Sequence, residues 1–180
     1  MYSKFNIISV VLPILSLIYG IYTKQTDMLL NSLLTIFCIF AIVLINKKFR
    51  IFTDGTCFAA VIFILLAVFL GRTLKVYHII SQWDKVLHFT SGFIIASIGG
   101  QVYIKLNGNL SNKKLMTWFT VIFAVAAAGV WEFYEFFVDC IAHISAQNGI
   151  TDTMLDMIAG TVSALIAVIF SNIKHNTHSE

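Results

Sequence analysis

Long apolar runs separated by short polar segments extend along the whole chain. Six runs have about the 20 residues that a helix needs to cross a hydrocarbon core of about 30 Å. They cover roughly residues 5–22, 28–46, 57–74, 85–104, 115–138 and 153–173. This pattern predicts an all-α fold, a polytopic membrane helical bundle of about six transmembrane helices.

The same pattern predicts a single transmembrane domain over residues 1–174, followed by a polar C-terminal tail over residues 175–180. The first run has the length of a signal peptide, but no small-residue cleavage site follows it, so we expect a retained helix. The third run is the least regular, because Gly71, Arg72 and Lys75 interrupt its end.

Basic residues predict the orientation of the spans, because cytoplasmic loops are enriched in Lys and Arg. With six spans, both termini share one side of the membrane with the loops after the second and fourth spans. That side carries eight basic residues: Lys4, Lys47, Lys48, Arg50, Lys105, Lys113, Lys114 and Lys174. The other side carries four: Lys24, Arg72, Lys75 and Lys85. We therefore expect both termini to be cytoplasmic.

The composition agrees with a protein that lies in the lipid bilayer. Hydrophobic residues make up 58% of the chain and charged residues 12%, whereas soluble domains carry about 25% charged residues. The net charge of +3 follows from the predicted topology, and no basic patch with interleaved aromatic residues indicates nucleic-acid binding. The three cysteines include no CxxC pair, so they indicate no disulfide framework.

Acidic residues concentrate at one end of the last three spans. On the fourth span Asp84 and His88 are four residues apart, so they share one helix face. That face continues through Gly92, Ala96 and Gly100, and small residues at this spacing let membrane helices approach closely. We therefore expect the polar pair to face a neighbouring helix.

The fifth and sixth spans carry similar stripes. Glu132, Glu135 and Asp139 have the spacing i, i+3, i+7 at the end of the fifth span. Asp152 and Asp156 have the spacing i, i+4 at the start of the sixth span. The face of the sixth span continues through the small residues Gly160 and Ala164.

The direction of the chain places all three stripes at one membrane boundary, on the predicted non-cytoplasmic side. Ionisable residues are costly in a membrane, so this cluster indicates a functional site. Asp84 and Asp152 have an alternative role as residues that cap a helix start, which does not exclude ligand binding. Asp139 has no such role, because a negative charge near a helix C-terminus is unfavourable.

Six ionised carboxylates in one pocket require protons or a cation to compensate them. Carboxylates with one imidazole suit a divalent metal ion such as Mg²⁺, Mn²⁺, Zn²⁺, Fe²⁺ or Ca²⁺. We predict such a site, and shared protons or a structural network stay open as alternatives. The predicted metal ligands are Asp84, His88, Glu132, Asp139, Asp152 and Asp156. Glu135 is the predicted general base, and Lys85 and Arg72 are the nearby cations for a phosphate group.

Three segments resemble the YjdF-like bacterial membrane proteins, an uncharacterised family. They are WDKVLHFTSG at 83–92, WEFYE at 131–135 and DTMLDMIAG at 152–160, and the resemblance covers about residues 80–165. The chain resembles the VanZ-like membrane proteins more distantly, at Asp84, Lys85, His88, Phe89, Glu132 and Asp156. The later VanZ-like Arg and Asn positions have no counterpart here. Both resemblances imply a multi-pass protein of the bacterial cell membrane.

The residues leave three functions open. The first is a metal-dependent enzyme, facing the extracytoplasmic side, that acts on a lipid or a cell-envelope precursor. The second is a proton- or cation-coupled transporter, although the polar residues cluster at one end and no inverted repeat with broken helices is evident. The third is a non-catalytic membrane protein whose acidic cluster stabilises the bundle or binds a partner.

Overall fold

A computed structural model describes residues 2–108, 112–142 and 149–177, with side chains at residues 8–108, 112–137, 139–141 and 149–171. The regular secondary structure of these residues is entirely helical, so the predicted all-α class is confirmed. The chain divides into two compact units, Met1–Trp83 and Asp84–Glu180. The single transmembrane domain over residues 1–174 stays a prediction.

The first unit contains the helices that correspond to the first three predicted spans. They are α1 (Tyr2–Thr23), α2 (Thr26–Phe49), α3 (Asp54–Ile64) with a π-helical continuation (Leu65–Thr73), and the short α4 (Val76–Ile79). α1 packs against α2, and Ser32 Oγ donates a hydrogen bond of 3.0 Å to Ser16 Oγ between them. α2 also packs against α3 and its π-helical continuation. Cys57 is buried there, which agrees with a packing role.

The irregular end of the third span has a structural cause. The Leu74 N–H donates to the carbonyl oxygen of Phe69, five residues earlier, as a π-helical turn requires. Lys75 then adopts a left-handed conformation with φ of 58°, which stops the helix. A Cβ atom on Gly71 would overlap the Tyr77 ring, so the chain after this turn lies closely against the π-helical segment.

The second unit is built from α5 (Trp83–Asn107, whose first residue ends the first unit), α6 (Lys113–Ala142) and α7 (Ile150–Thr177). A Cβ atom on Gly92 of α5 would overlap Ser163 Oγ and the carbonyl oxygen of Gly160 on α7. Further along, Ala96, Ala124 and Ala164 of the three helices form a buried cluster. These contacts confirm the predicted close-packing stripes.

Within the part of the chain that the structure describes, five helical segments are long and apolar enough to cross a membrane: Thr26–Phe49, Asp54–Thr73, Trp83–Asn107, Lys113–Ile141 and Ile150–Ser171. In α1 a shorter apolar stretch, Ile8–Thr23, lies among the described residues. This agrees with the prediction of about six spans. α7 continues to Thr177 and so enters the predicted polar tail at 175–180. The cytoplasmic position of the termini stays a prediction.

Candidate functional site

The start of α5 presents three polar side chains close together. Asp84 and Lys85 lie in the first turn of the helix, and His88 follows one turn later. Residues four apart share a helix face, and His88 Nε2 lies 3.6 Å from Asp84 Oδ1. His88 is buried and Asp84 is partly exposed. The predicted pairing of these two residues on one face is confirmed.

Lys85 connects the start of α5 to the start of α7. Its Nζ atom donates to Asp152 Oδ1 at 2.5 Å and to Asp156 Oδ1 at 3.1 Å. Hydrogen bonds between charged groups are about twice as strong as those between neutral groups. One ammonium group therefore holds both aspartates of the α7 stripe beside the α5 stripe.

Glu132 brings α6 to the same place. Its Oε1 atom lies 4.0 Å from His88 Nε2, and the residue is only 4% exposed. Side chains from α5, α6 and α7 thus meet at one end of the second unit, as the three sequence stripes predicted. We call Asp84, Lys85, His88, Glu132, Asp152 and Asp156 the acidic cluster.

Three members of the acidic cluster have the spacing of ligands to one ion. Donor atoms of Asp84, His88 and Asp156 all lie within 4.8 Å of one another. Two ligands on opposite sides of Mg²⁺ or Ca²⁺ are separated by about 4–5 Å, since each bond is about 2.0–2.6 Å long. The three donors are therefore close enough to share a divalent cation without a large rearrangement.

The acidic cluster carries more negative than positive charge. Its four carboxylates and one ammonium group leave an excess of three negative charges when all are ionised and His88 is neutral. Charges in a low-dielectric interior interact more strongly than in water, so this excess favours a bound cation. Arg72, the second predicted cation, belongs to the π-helical segment of the first unit.

Glu135 and Asp139 lie further along the stripe of α6. Glu135 is buried, and its Oε1 accepts a hydrogen bond of 3.1 Å from Trp131 Nε1 on the same helix. The i, i+4 spacing of the two residues is a sequence signal for this bond, which the acidic stripe alone did not predict. Among the described residues, the donor grouping includes neither Glu135 nor Asp139. Their roles as general base and metal ligand stay predictions.

The acidic cluster is adjacent to the tight contact between α5 and α7. A Cβ atom on Gly160 would lie 3.5 Å from the carbonyl oxygen of His88, and the Ser91 hydroxyl donates to that oxygen at 2.7 Å. His88 therefore lies where the backbones of α5 and α7 are closely packed. Rigid elements of this kind hold a site more accurately than loops do.

The family described as "Predicted membrane protein (DUF2238)" matches residues 5–177. The chain belongs to this family. Its match to the DUF2238 family covers all the helices that carry the acidic cluster, and it extends well beyond the residues 80–165 of the YjdF-like resemblance. The more distant resemblance to VanZ-like proteins stays a prediction.

A relative with a similar sequence is also uncharacterised. An uncharacterised protein of Thermotoga maritima is 32% identical to the chain over 90 residues. The alignment covers 49% of this chain and 47% of the relative, so the chain spans about half of that relative's length. No solved structure matches the chain. These comparisons identify a member of a family of predicted membrane proteins.

Proposed function

We propose that the acidic cluster binds a divalent cation and that the protein is a membrane-embedded enzyme acting on a lipid or cell-envelope precursor. The observation that carries this proposal is the close grouping of Asp84, His88 and Asp156, whose donor atoms lie within 4.8 Å of one another. Two of these residues, His88 and Asp156, are buried. Buried ionisable groups in a membrane helix are costly unless they are paired or bind an ion.

The donor set narrows the type of cation. Two carboxylates and one imidazole suit Mg²⁺, Mn²⁺, Zn²⁺ or Fe²⁺ better than a soft ion, which prefers thiolate or thioether ligands. Three protein ligands also leave coordination positions open, which is typical of catalytic rather than structural metal sites. A cation held there would act as a Lewis acid toward a carbonyl or phosphoryl oxygen.

The surrounding residues have separate roles in this proposal. Glu132, whose carboxylate lies 4.0 Å from His88, is placed to accept a proton, and we prefer it to Glu135 for that role. Glu135 is instead hydrogen-bonded to Trp131 on its own helix. Lys85 holds Asp152 and Asp156, and its charge is available to an anionic group that approaches the partly exposed side of the cluster.

The acidic cluster is exposed on the side that a substrate at the membrane boundary would approach. The side chains of Asp84, Lys85 and Asp152 are 22%, 32% and 24% exposed, so the cluster is open on the side of the helix ends. Further along the three helices, the buried residues Ala96, Ala124 and Ala164 pack together and are at most 4% exposed. This packing separates the acidic cluster from the opposite helix ends. A site open at one end favours chemistry at the membrane surface over a continuous transport path.

Elemental analysis of the purified protein tests the cation site. We expect a stoichiometric divalent metal in the wild type and its loss in His88→Ala and in Asp156→Asn, because each removes one of three donors. The matched controls are His78→Ala and Asp27→Asn, which change exposed residues of the first unit and should keep the metal. A wild-type protein that takes up no metal from Mg²⁺, Mn²⁺ or Zn²⁺ solutions would contradict the proposal.

The bridging position of Lys85 favours a second candidate. Its two hydrogen bonds to Asp152 and Asp156 are also what a purely structural ion-pair network would show. In that case the cluster joins α5 to α7 and binds no ion. The two candidates differ in whether a divalent cation stabilises the protein, and this difference is measurable.

A further inference from the structure

A second site lies in the second unit, at the opposite ends of its three helices from the acidic cluster. There the structure contains a cavity of about 320 Å³. Pockets that bind small molecules have volumes of about 300–1,000 Å³, so this one is at the lower end of that range. The cavity is lined by residues of α5, α6 and α7: Phe93, Ala96, Ser97, Gly100, Gln101, Ile104, Met116, Thr117, Thr120, Ala167, Val168 and Ser171.

The cavity is separate from the acidic cluster. Thr120 in its wall precedes Glu132 on α6 by twelve residues, which is about 18 Å along a helix. The buried alanine cluster, with Ala124 on α6 and Ala164 on α7, lies between the two sites along the helices. The cavity wall therefore includes no residue of the acidic cluster, and its ligand has to be inferred from the wall residues alone.

The chemistry of the wall restricts the ligand. All the residues that line the cavity are uncharged, so a charged ligand would lose its hydration without gaining an opposite charge. Several wall residues carry hydroxyl or amide groups, namely Ser97, Gln101, Thr117, Thr120 and Ser171. The Thr120 hydroxyl has no hydrogen-bond partner among the described residues, so a pure hydrocarbon would leave it unsatisfied, which is also unfavourable. The wall suits an uncharged ligand that is mainly apolar and carries one hydrogen-bonding group.

Thr120 supplies a specific recognition group. Its hydroxyl is buried and has no hydrogen-bond partner among the described residues. A buried hydroxyl without a partner costs free energy, which a ligand group that accepts or donates a hydrogen bond would recover. Threonine in a helix populates two χ1 rotamers, so rotation about χ1 changes the direction in which the hydroxyl points.

We propose that this cavity binds an uncharged amphiphile, an apolar chain of about twelve carbon atoms with a hydrogen-bonding end group. The chain length follows by proportion, since an engineered cavity of about 150 Å³ binds benzene. Long-chain alcohols and monoacylglycerols offer this chemistry. The proposal is independent of the divalent cation in the acidic cluster.

Photolabelling tests the proposal. The protein is reconstituted into phosphatidylcholine nanodiscs with a chelator present, and a dodecanol that carries a diazirine on its chain is photoactivated. We expect labelled peptides from the cavity wall that disappear with excess dodecanol, whereas dodecane and ionised dodecanoate compete less well. Because the chelator removes divalent ions, the result does not depend on the acidic cluster.

A variant whose larger side chain fills the cavity provides a second test of the same proposal. A Cβ atom on Gly100 would lie 3.8 Å from Met116 Cε and from Thr120 Oγ1, so the backbone there accepts a side chain. We expect Gly100→Leu to lower wall labelling at least about tenfold, because the added side chain occupies the cavity. Gly55→Leu is the control, since an added Cβ atom there meets only Thr53 Oγ1 at 4.0 Å.

A second variant tests the polar end group without filling the cavity. Thr120→Val keeps the shape of the side chain and removes the hydroxyl, so dodecanol should compete about two- to tenfold less well, as expected for one lost hydrogen bond. Competition by dodecane should not change. Unaltered wall labelling in Gly100→Leu, equal competition by dodecane and dodecanol, or unaltered dodecanol competition in Thr120→Val would each overturn the proposal.

Discussion

Lys85 lies within hydrogen-bonding distance of two carboxylates that come from one stripe of α7. Its Nζ atom contacts Asp152 and Asp156, and Asp156 is also one of the three donors that fit a cation. In the proposed cation site, an ammonium group and a divalent cation would therefore share one carboxylate. The charge of Lys85 stabilises the carboxylates of Asp152 and Asp156, and it competes with the proposed cation for Asp156.

Lys85→Met separates the two candidate functions. Removing one partner of a fully buried ion pair costs about 3–5 kcal/mol. Here we expect a loss of about 1–3 kcal/mol, because the Lys85 side chain is 32% exposed. If the cluster binds a cation, the variant should bind it more tightly, and a divalent salt should raise its melting temperature more than that of the wild type.

Thermal unfolding of the purified protein, with a divalent salt or a chelator, measures both effects. Lys105→Met changes an exposed lysine near the other end of α5 and serves as the control. Equal melting temperatures with salt and chelator, in the wild type and in Lys85→Met alike, would favour the structural network.

The contact between α5 and α7 is the feature of the helices that positions the acidic cluster. Gly92 lies directly against Gly160 and Ser163, one turn along α5 from His88. Ser163 is fully buried and donates a hydrogen bond of 3.0 Å to the carbonyl oxygen of Gly160. Small residues in such contacts let two membrane helices approach closely, which van der Waals packing stabilises.

Two glycines of α5 give a matched pair of alanine variants. Gly92→Ala would place a Cβ atom on Ser163 Oγ and on backbone, so α5 and α7 must separate, and we expect a loss of about 1–3 kcal/mol. Gly100→Ala meets only ordinary contacts at 3.8 Å and should be neutral or stabilising by up to about 1 kcal/mol.

Thermal unfolding measures the stability of both variants, and elemental analysis measures the metal content of Gly92→Ala. We expect the metal content to fall as well, because the proposed ligands come from both helices. A melting temperature of Gly92→Ala equal to that of Gly100→Ala would show that the close contact does not support the fold.

At the scale of the whole molecule, the predicted topology places the acidic cluster on the non-cytoplasmic side. Cys140 lies near the end of α6 and is exposed, whereas Cys57 is buried. A thiol at this position reports which side of the membrane the end of α6 occupies.

Thiol labelling of intact cells tests the orientation. In a Cys38→Ala background, we expect a membrane-impermeant maleimide to react with Cys140 from outside. The control is Arg50→Cys combined with Cys140→Ser, which moves the exposed thiol to the predicted cytoplasmic side. That thiol should react only after the membrane is permeabilised. The reverse labelling pattern would show that the topology is inverted and that the acidic cluster lies on the cytoplasmic side of the membrane.

The sequence by itself determined the helical class, the approximate spans and the face of each helix on which the acidic residues lie. It could do so because a membrane span needs a long apolar run, and because residues four apart share a helix face. The pairing of Asp84 with His88 and the small-residue stripes follow from the same local rules. These features depend only on neighbouring positions in the chain.

Only the tertiary structure decided which of these residues meet. It placed Lys85 between Asp152 and Asp156, and it brought Glu132 within 4.0 Å of His88. It also revealed the cavity at the opposite helix ends. The rotation and axial position of packed helices are set by the side chains between them, and the spacing of residues along one helix carries no information about that register.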